Sequence, residues 1–355
     1  MRNEITSNNT VDGDAARRMD FRSDTVTHPT PAMRRATADA EVGDDVYQDD
    51  PTTNRLEQLA AETVGKEAAL FVASGTMGNQ LALMSHTVKG QEAIVGADSH
   101  IFMHEVGAAA VLSSLNLRPL AFPDGVPDAA QIRGAIRSSD IHEPATGLIC
   151  LENGLANGRV VPVSVMREVQ EVGRAHGIPV HLDGARLFNA ATALGVKASE
   201  LAACVDSVQF CLSKGLCAPV GSMLCGDAAF IARARKYRKL LGGGMRQTGV
   251  LAAAGILAIE EMTQRLHEDH ANARLLAELL NELPGVEVDL DAVQINMVFA
   301  TFDWPDLAGL KSWLAERGAI IGQPDGQVVR FLTNNDVNDT DCRRLVALLE
   351  EYAAR

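Results

Sequence analysis

Short apolar runs of strand length alternate along the chain with stretches whose apolar residues recur at helical spacing. "AALFVAS" (68–74) reads as a buried strand, and "GTMGNQLALMSHTV" after it as a helix. "EAIVGAD" (92–98) is a second strand, followed by a helix over "HEVGAAAVLSSL". "TGLICLE" (146–152) is a third strand. "SVMREVQEVGRAHG" (164–177) then predicts a helix, with Ser164 as its N-cap and Gly177 just past its end. "IPVHLD" (178–183), "SVQFCLS" (207–213) and "GSMLCG" (221–226) complete the series. Their apolarity is continuous rather than alternating, which predicts a mainly parallel sheet covered by helices on both faces. A long helical pattern over 247–281 leads into a different texture. "GVEVDL", "INMVFATF" and "QVVRFLT" alternate like sheet strands, accompanied by helical "LAGLKSWLAERG" and "DTDCRRLVALLEEYAA".

The expected architecture is α/β. A large domain over 19–265 carries the mainly parallel sheet, and a small C-terminal α+β domain covers 266–355. Residues 1–18 are polar and without period, which predicts a mobile tail. A chain of 355 residues exceeds the ~250–300 at which one core stops growing, which agrees with two domains. The net charge of -14 disfavours nucleic acid and anionic membranes as partners. There is no apolar run of spanning length, and the N-terminal stretch lacks the apolar core of a secretory signal. The six cysteines form no C-x-x-C pair and read as buried, reduced thiols of a cytoplasmic protein. No metal is expected.

In parallel sheets, ligands bind beyond the carboxyl ends of the strands. Asp183 ends "IPVHLD", with Arg186 three residues on. Ser213 and Lys214 end "SVQFCLS". Ser74 ends "AALFVAS", and Gly75 and Thr76 open a helix. His100 follows "EAIVGAD". Taken singly, these residues are ordinary: a solvated lysine, a capping aspartate, a helix cap, a surface histidine. Together they meet one requirement. Pyridoxal 5'-phosphate (PLP) needs a lysine amine, a carboxylate at its ring nitrogen, and backbone N–H groups for its phosphate. Asp183, Lys214 and Gly75-Thr76 supply these parts. His100 could stack on the ring, and Arg186 could reach its hydroxyl or a substrate carboxylate.

The segments "DFRSDTVTHPT", "EVGDDVYQDDPTTNRLE", "GKEAALFVASGTMGNQLAL", "HLDGARLFNA", "CLSKGLCAPVGSML" and "RKYRKLLGGGMRQTGVLAAAG" carry a family resemblance. From residue 19 to its end the chain resembles the low-specificity L-threonine aldolases, PLP enzymes of the aspartate-aminotransferase fold type. The resemblance implies that Lys214 holds PLP as a Schiff base, Asp183 pairs with the ring nitrogen and His100 stacks on the ring. It implies that Ser74, Gly75, Thr76 and Ser213 belong to the cofactor site. It assigns Ser23, Arg186 and Arg330 to the substrate carboxylate and places Tyr47 in the active-site region. Lys239 and Arg246 would approach the phosphate from a neighbouring subunit of a homotetramer. The implied reaction is reversible cleavage of a β-hydroxy-α-amino acid to glycine and an aldehyde. Other PLP chemistry (β-elimination or transamination) and a non-catalytic PLP-binding protein are the alternatives.

The chain departs from the family at one place. Many members read "ENTHNGKVLP" where this sequence has "ENGLANGRVVP". The family's histidine at the substrate hydroxyl is replaced around Gly154 and Leu155. That change predicts a more apolar side-chain pocket that accepts phenylserine alongside threonine. It leaves His100 as the expected base, with His104 near the same strand end as a substitute for the missing imidazole.

Overall fold

The computed structural model describes residues 18–138 and 140–355. The tail expected over 1–18 lies outside the described residues, apart from Arg18. In chain order the strands are β1 (Met19–Asp20), β2 (Ala68–Val72), β3 (Glu92–Gly96), β4 (Asn116–Leu120), β5 (Thr146–Glu152) and β6 (Val180–Asp183). They continue with β7 (Ser207–Cys211), β8 (Ser222–Gly226), β9 (Val286–Val288), β10 (Met297–Phe302), β11 (Ala319–Ile320) and β12 (Val328–Leu332).

Seven strands form the large sheet, in the order β2-β8-β7-β6-β5-β3-β4. Only β8 runs against its neighbours. The mainly parallel sheet is therefore as expected, and its carboxyl ends gather the residues after β2, β3, β5, β6 and β7 on one edge. The strand β4 was not anticipated from the pattern. Its "NLRPL" is half-exposed and carries Pro119, which an edge strand tolerates. The expected helix over "HEVGAAAVLSSL" is shorter, Ala108–Ser113, and a separate one-turn helix, His100–Met103, precedes it. They are separated where Gly107 adopts φ of 69°. Ser164 is not the N-cap: the helix spans Val163–His176 with Pro162 at that position, while Gly177 closes it at φ of 66°. The long pattern over 247–281 divides into Gly249–Glu260 and Leu266–Asn281. All six cysteines are buried and unbridged.

A second core surrounds the antiparallel sheet β12-β10-β9. Here the N-terminal segment takes a place the pattern did not foresee. Strand β1 pairs in parallel with β11. Met19 and Phe21, placed in the large domain by the sequence pattern, pack in the second core with Phe302 and Phe331. The chain then crosses to the large sheet, and Asp24 is fully buried there. Its two carboxylate oxygens accept from Arg186 Nε at 2.7 Å and Nη2 at 2.8 Å. Asn296, just before β10, donates to the same carboxylate at 3.2 Å.

Burial alone would push the Asp24 carboxyl up. The Arg186 guanidinium, Lys214 and the Asn296 amide outweigh burial and hold it below the usual range. The pair contributes stability above the carboxyl's unfolded value near pH ~4, and this is lost as the pH falls through the folded value. Asp24→Asn leaves Arg186 buried without a counter-charge. The expected loss is about 3–5 kcal/mol at neutral pH, read from urea unfolding. The gap to the unsubstituted protein should narrow in acid below pH ~4; a gap that widens in acid contradicts the assignment.

Candidate active site

The two central strands carry the site because they are apolar on one face only. In β6, Val180 and Leu182 enter the main core, and in β7, Val208 and Phe210 do the same. The alternate positions, His181, Asp183, Ser207 and Gln209, are buried against the helix Gly75–His86. The continuous apolarity read from the sequence therefore does not hold for these strands. Buried polar side chains need partners, and that helix supplies them.

Asp183 is 2% exposed. Its Oδ1 accepts from Gln209 Nε2 at 2.8 Å and from the Ala185 N–H at 3.0 Å. Its Oδ2 accepts from Asn79 Nδ2 at 2.7 Å. These three donors and its burial keep the carboxylate oriented where it lines the cavity at the strand ends. Gly75 starts the helix close above β7: a Cβ there would stand 2.9 Å from Cys211 Sγ. A larger residue would have to displace the buried Cys211 side chain, which makes glycine the natural choice at this close approach. Ser74 caps this helix, its hydroxyl accepting from the Met77 N–H at 3.1 Å.

The structure brings six of the expected residues to one cavity of about 140 Å³: Gly75, Thr76, His100, Asp183, Ser213 and Lys214. Asn79 and Gln209 share its wall. His100 is held in two places. Its backbone N–H donates to Glu152 Oε2 at 2.8 Å, and its ring Nδ1 lies 3.0 Å from Glu105 Oε1. The hydrogen bond to Glu105 raises the His100 pKa, with burial opposing. Burial and the neighbouring Asp183 push the Glu152 carboxyl up to about 7. His104 is exposed, with its ring centroid 5.6 Å from that of His100.

Other expected residues stand apart from this cavity. Arg186 is engaged by Asp24. Arg330, on β12, makes no hydrogen bond or ion pair among the described residues, and burial and the nearby Arg186 charge lower its pKa. Arg330 is still exposed to solvent, and a guanidinium with no side-chain partner next to another cation is suited to an anion. Ser23 accepts from Thr25 at 3.2 Å and caps a turn. Tyr47 is 76% exposed. Lys239 is exposed, and Arg246 pairs with Asp44 at 2.9 Å. None of these last three lines the cavity of its own chain.

Leu155 is buried and lines a separate cavity of about 460 Å³ beside Glu152, with Phe122 and Phe299. Sequence reasoning passed over Asp24, Asn79, Glu105, Glu152 and Gln209. The polar alternation in "VHLD" and "SVQFC" was the available signal for the stripe that Asn79 and Gln209 serve.

The donor set fits PLP. Lys214 offers an amine at a strand end, and Asp183 an acceptor for a ring N–H. Gly75 opens a cradle that a Cβ would fill. Gln209 Oε1 is buried with no protein partner, aimed at the Gly75 cradle.

The beta-eliminating lyase family model matches residues 20–303. Over 344 residues the chain is 44% identical to low-specificity L-threonine aldolase 1 of Arabidopsis thaliana, covering 94% of this chain and 96% of that one. It is 43% identical to the low specificity L-threonine aldolase of Escherichia coli (strain K12), covering 95% and 100%. The fold is that of Leishmania major threonine aldolase (TM-score 0.80, 20% identity, 94% and 99% covered). It is also that of Sphingomonas wittichii serine palmitoyltransferase (TM-score 0.75, 18% identity, 95% and 87% covered). Nearly full-length identity at this level, on a chain whose strand ends assemble this donor set, places it: the chain belongs to the low-specificity L-threonine aldolases of the beta-eliminating lyase family.

Proposed function

We propose that this chain cleaves L-threonine, L-allo-threonine and related β-hydroxy-α-amino acids reversibly to glycine and an aldehyde, using PLP. The observation that carries the reading is the convergence of Lys214, Asp183, His100 and the Gly75-Thr76 helix start on one cavity. Bound PLP supplies the electron sink that makes scission of a Cα–Cβ bond feasible. Lys214 anchors it, and the Asp183 carboxylate accepts the ring N–H and keeps that nitrogen protonated. The N–H groups at the start of helix Gly75–His86 receive the phosphate.

Arg330 binds the substrate carboxylate with its unpaired guanidinium, and Arg186, oriented by Asp24, lies beside it. His100 uses Nδ1 toward Glu105, which leaves Nε2 to take the β-hydroxyl proton as the aldehyde departs. The substrate side chain enters the cavity lined by Leu155, Phe122 and Phe299. Its apolar wall suits phenylserine as well as threonine. Lys239, Arg246 and Tyr47 are exposed on their own chain, which supports a role at a neighbouring subunit's site within a homotetramer. Among the described residues no helix is long and apolar enough to cross a membrane, and a cytoplasmic location is part of this reading.

Incubation with L-threonine, L-allo-threonine or phenylserine should release glycine and the matching aldehyde. Lys214→Ala should abolish both the release and the visible absorbance that borohydride removes. A keto acid in place of glycine would mean elimination or transamination. Threonine turned over far better than phenylserine would sink the apolar-pocket reading.

Replacing Arg330 by lysine removes paired hydrogen bonds to a carboxylate, and KM should rise about 10-fold or more with kcat little changed. Steady-state kinetics decide it.

If neutral His100 is the base, its pKa sets the acid limb of the kcat/KM profile. Glu105 raises that pKa, so Glu105→Gln should move the limb to lower pH. A limb that stays in place excludes His100.

A further inference from the structure

The polar stripe does not stop at Asn79. The Asn79 amide gives both its N–H groups away, one to Asp183 Oδ2 at 2.7 Å and one to Glu105 Oε1 at 2.8 Å. Its Oδ1 therefore only accepts, and the group facing it is His181 Nε2 at 3.2 Å. The other ring nitrogen, His181 Nδ1, lies 2.9 Å from Ser207 Oγ. That hydroxyl lies 2.7 Å from His86 Nε2, at the far end of the same helix. The His86 ring stacks on Phe230 with centroids 4.4 Å apart.

The side-chain partners select one arrangement of the protons over the alternative in which His181 donates to the Ser207 backbone carbonyl. Burial pushes His181 down to about 3 and His86 down to about 4, so both rings are neutral in neutral solution. Each neutral ring has one N–H and one lone pair. Asn79 Oδ1 has no proton to give, so His181 Nε2 donates and His181 Nδ1 accepts. Ser207 must then donate to Nδ1, and its oxygen is left to accept from His86 Nε2. Every bond in the chain points the same way, toward the two carboxylates. Bonds aligned in this manner polarise one another.

We propose that Asn79, His181 and Ser207 are positioning residues: a one-way hydrogen-bond chain starting at His86 holds the Asn79 amide so that it locks Asp183 and the Glu105–His100 pair in one geometry. One amide thereby ties the group at the cofactor's ring nitrogen to the group that holds the stacking histidine. The ring's edge and its face are kept in register by a residue that touches neither the substrate nor Lys214. The functional consequence rests on the aldolase reading above; the proton arrangement does not.

The 15N spectrum of histidine-labelled full-length protein, with and without cofactor, distinguishes the two neutral tautomers. His181 is assigned by the signal lost on its substitution. The expected form is protonated at Nε2 throughout the neutral range. The Nδ1-protonated form would overturn the proposal. In the holoenzyme, His181→Leu should lower kcat for L-threonine by about 10–100-fold, with KM within about 2-fold, and shift the visible band. His181→Gln, which keeps an N–H for Asn79 Oδ1, should recover most of kcat. Equal losses in both variants, or none in either, reject a positioning role. If His181→Leu does not fold, Ser207→Ala takes its place: Asn79 Oδ1 should still hold the Nε2-protonated form, while loss of the hydroxyl that orients the ring should lower kcat and shift the visible band, and an unchanged kcat and band reject the chain. A wild-type protein that releases no glycine sinks the aldolase reading instead, and leaves the tautomer result standing.

Discussion

The buried ion pair of Asp24 with Arg186 joins the two halves of the molecule at the place where the chemistry happens. Asp24 arrives on a segment whose preceding residues, Met19 and Phe21, are packed in the second core. Arg186 follows β6 of the large sheet by three residues. Asn296, leading into β10, closes on the same carboxylate. Two charges out of water are tolerated because both Arg186 donors and both Asp24 oxygens are matched, with a third donor completing the set. The pair also bears on which arginine is free. Arg186 has its counter-charge, which supports the proposed assignment of a carboxylate ligand to Arg330.

Charge organisation at the strand ends follows the same logic at shorter range. Asp183, Glu105 and Glu152 are three acids within one buried neighbourhood. Asp183 is spread over donors from Asn79, Gln209 and Ala185. Glu105 takes donors from Asn79, Gln80 and His100. Glu152 has the His100 backbone N–H, and burial beside Asp183 pushes its carboxyl up to about 7. Glu152, with one donor, has too little to offset its desolvation, and its carboxyl rises.

Much of this was legible in the sequence. Apolar runs located six of the seven strands in the large sheet, and the rule of strand carboxyl ends pointed to Ser74–Thr76, His100, Asp183 and Lys214 without any contact being known. The missing strand, β4, escaped because an edge strand has little apolar surface to show. The supporting polar residues escaped for a different reason. His181, Ser207 and Gln209 sit in runs whose other positions are strongly apolar, so the average over a window hides them; only their alternation marks the face that a helix will cover. Asp24 was overlooked beside Ser23 because its partner lies 162 residues away, a separation that no local pattern reports. Tyr47, Lys239 and Arg246 came from family likeness, and the single chain leaves all three at its surface.

The cavity beside Glu152 has walls of mixed origin. Leu155 and Phe122 belong to the large-sheet body, whereas Phe299 and Asp325 come from the second. Its width is therefore not the property of any one rigid wall but of the angle at which two bodies meet. A receptacle assembled in this way adjusts to its guest by a small rotation rather than by remaking its lining. For the range of side chains proposed above, stiffening the joint would then narrow the choice more than reshaping the pocket would.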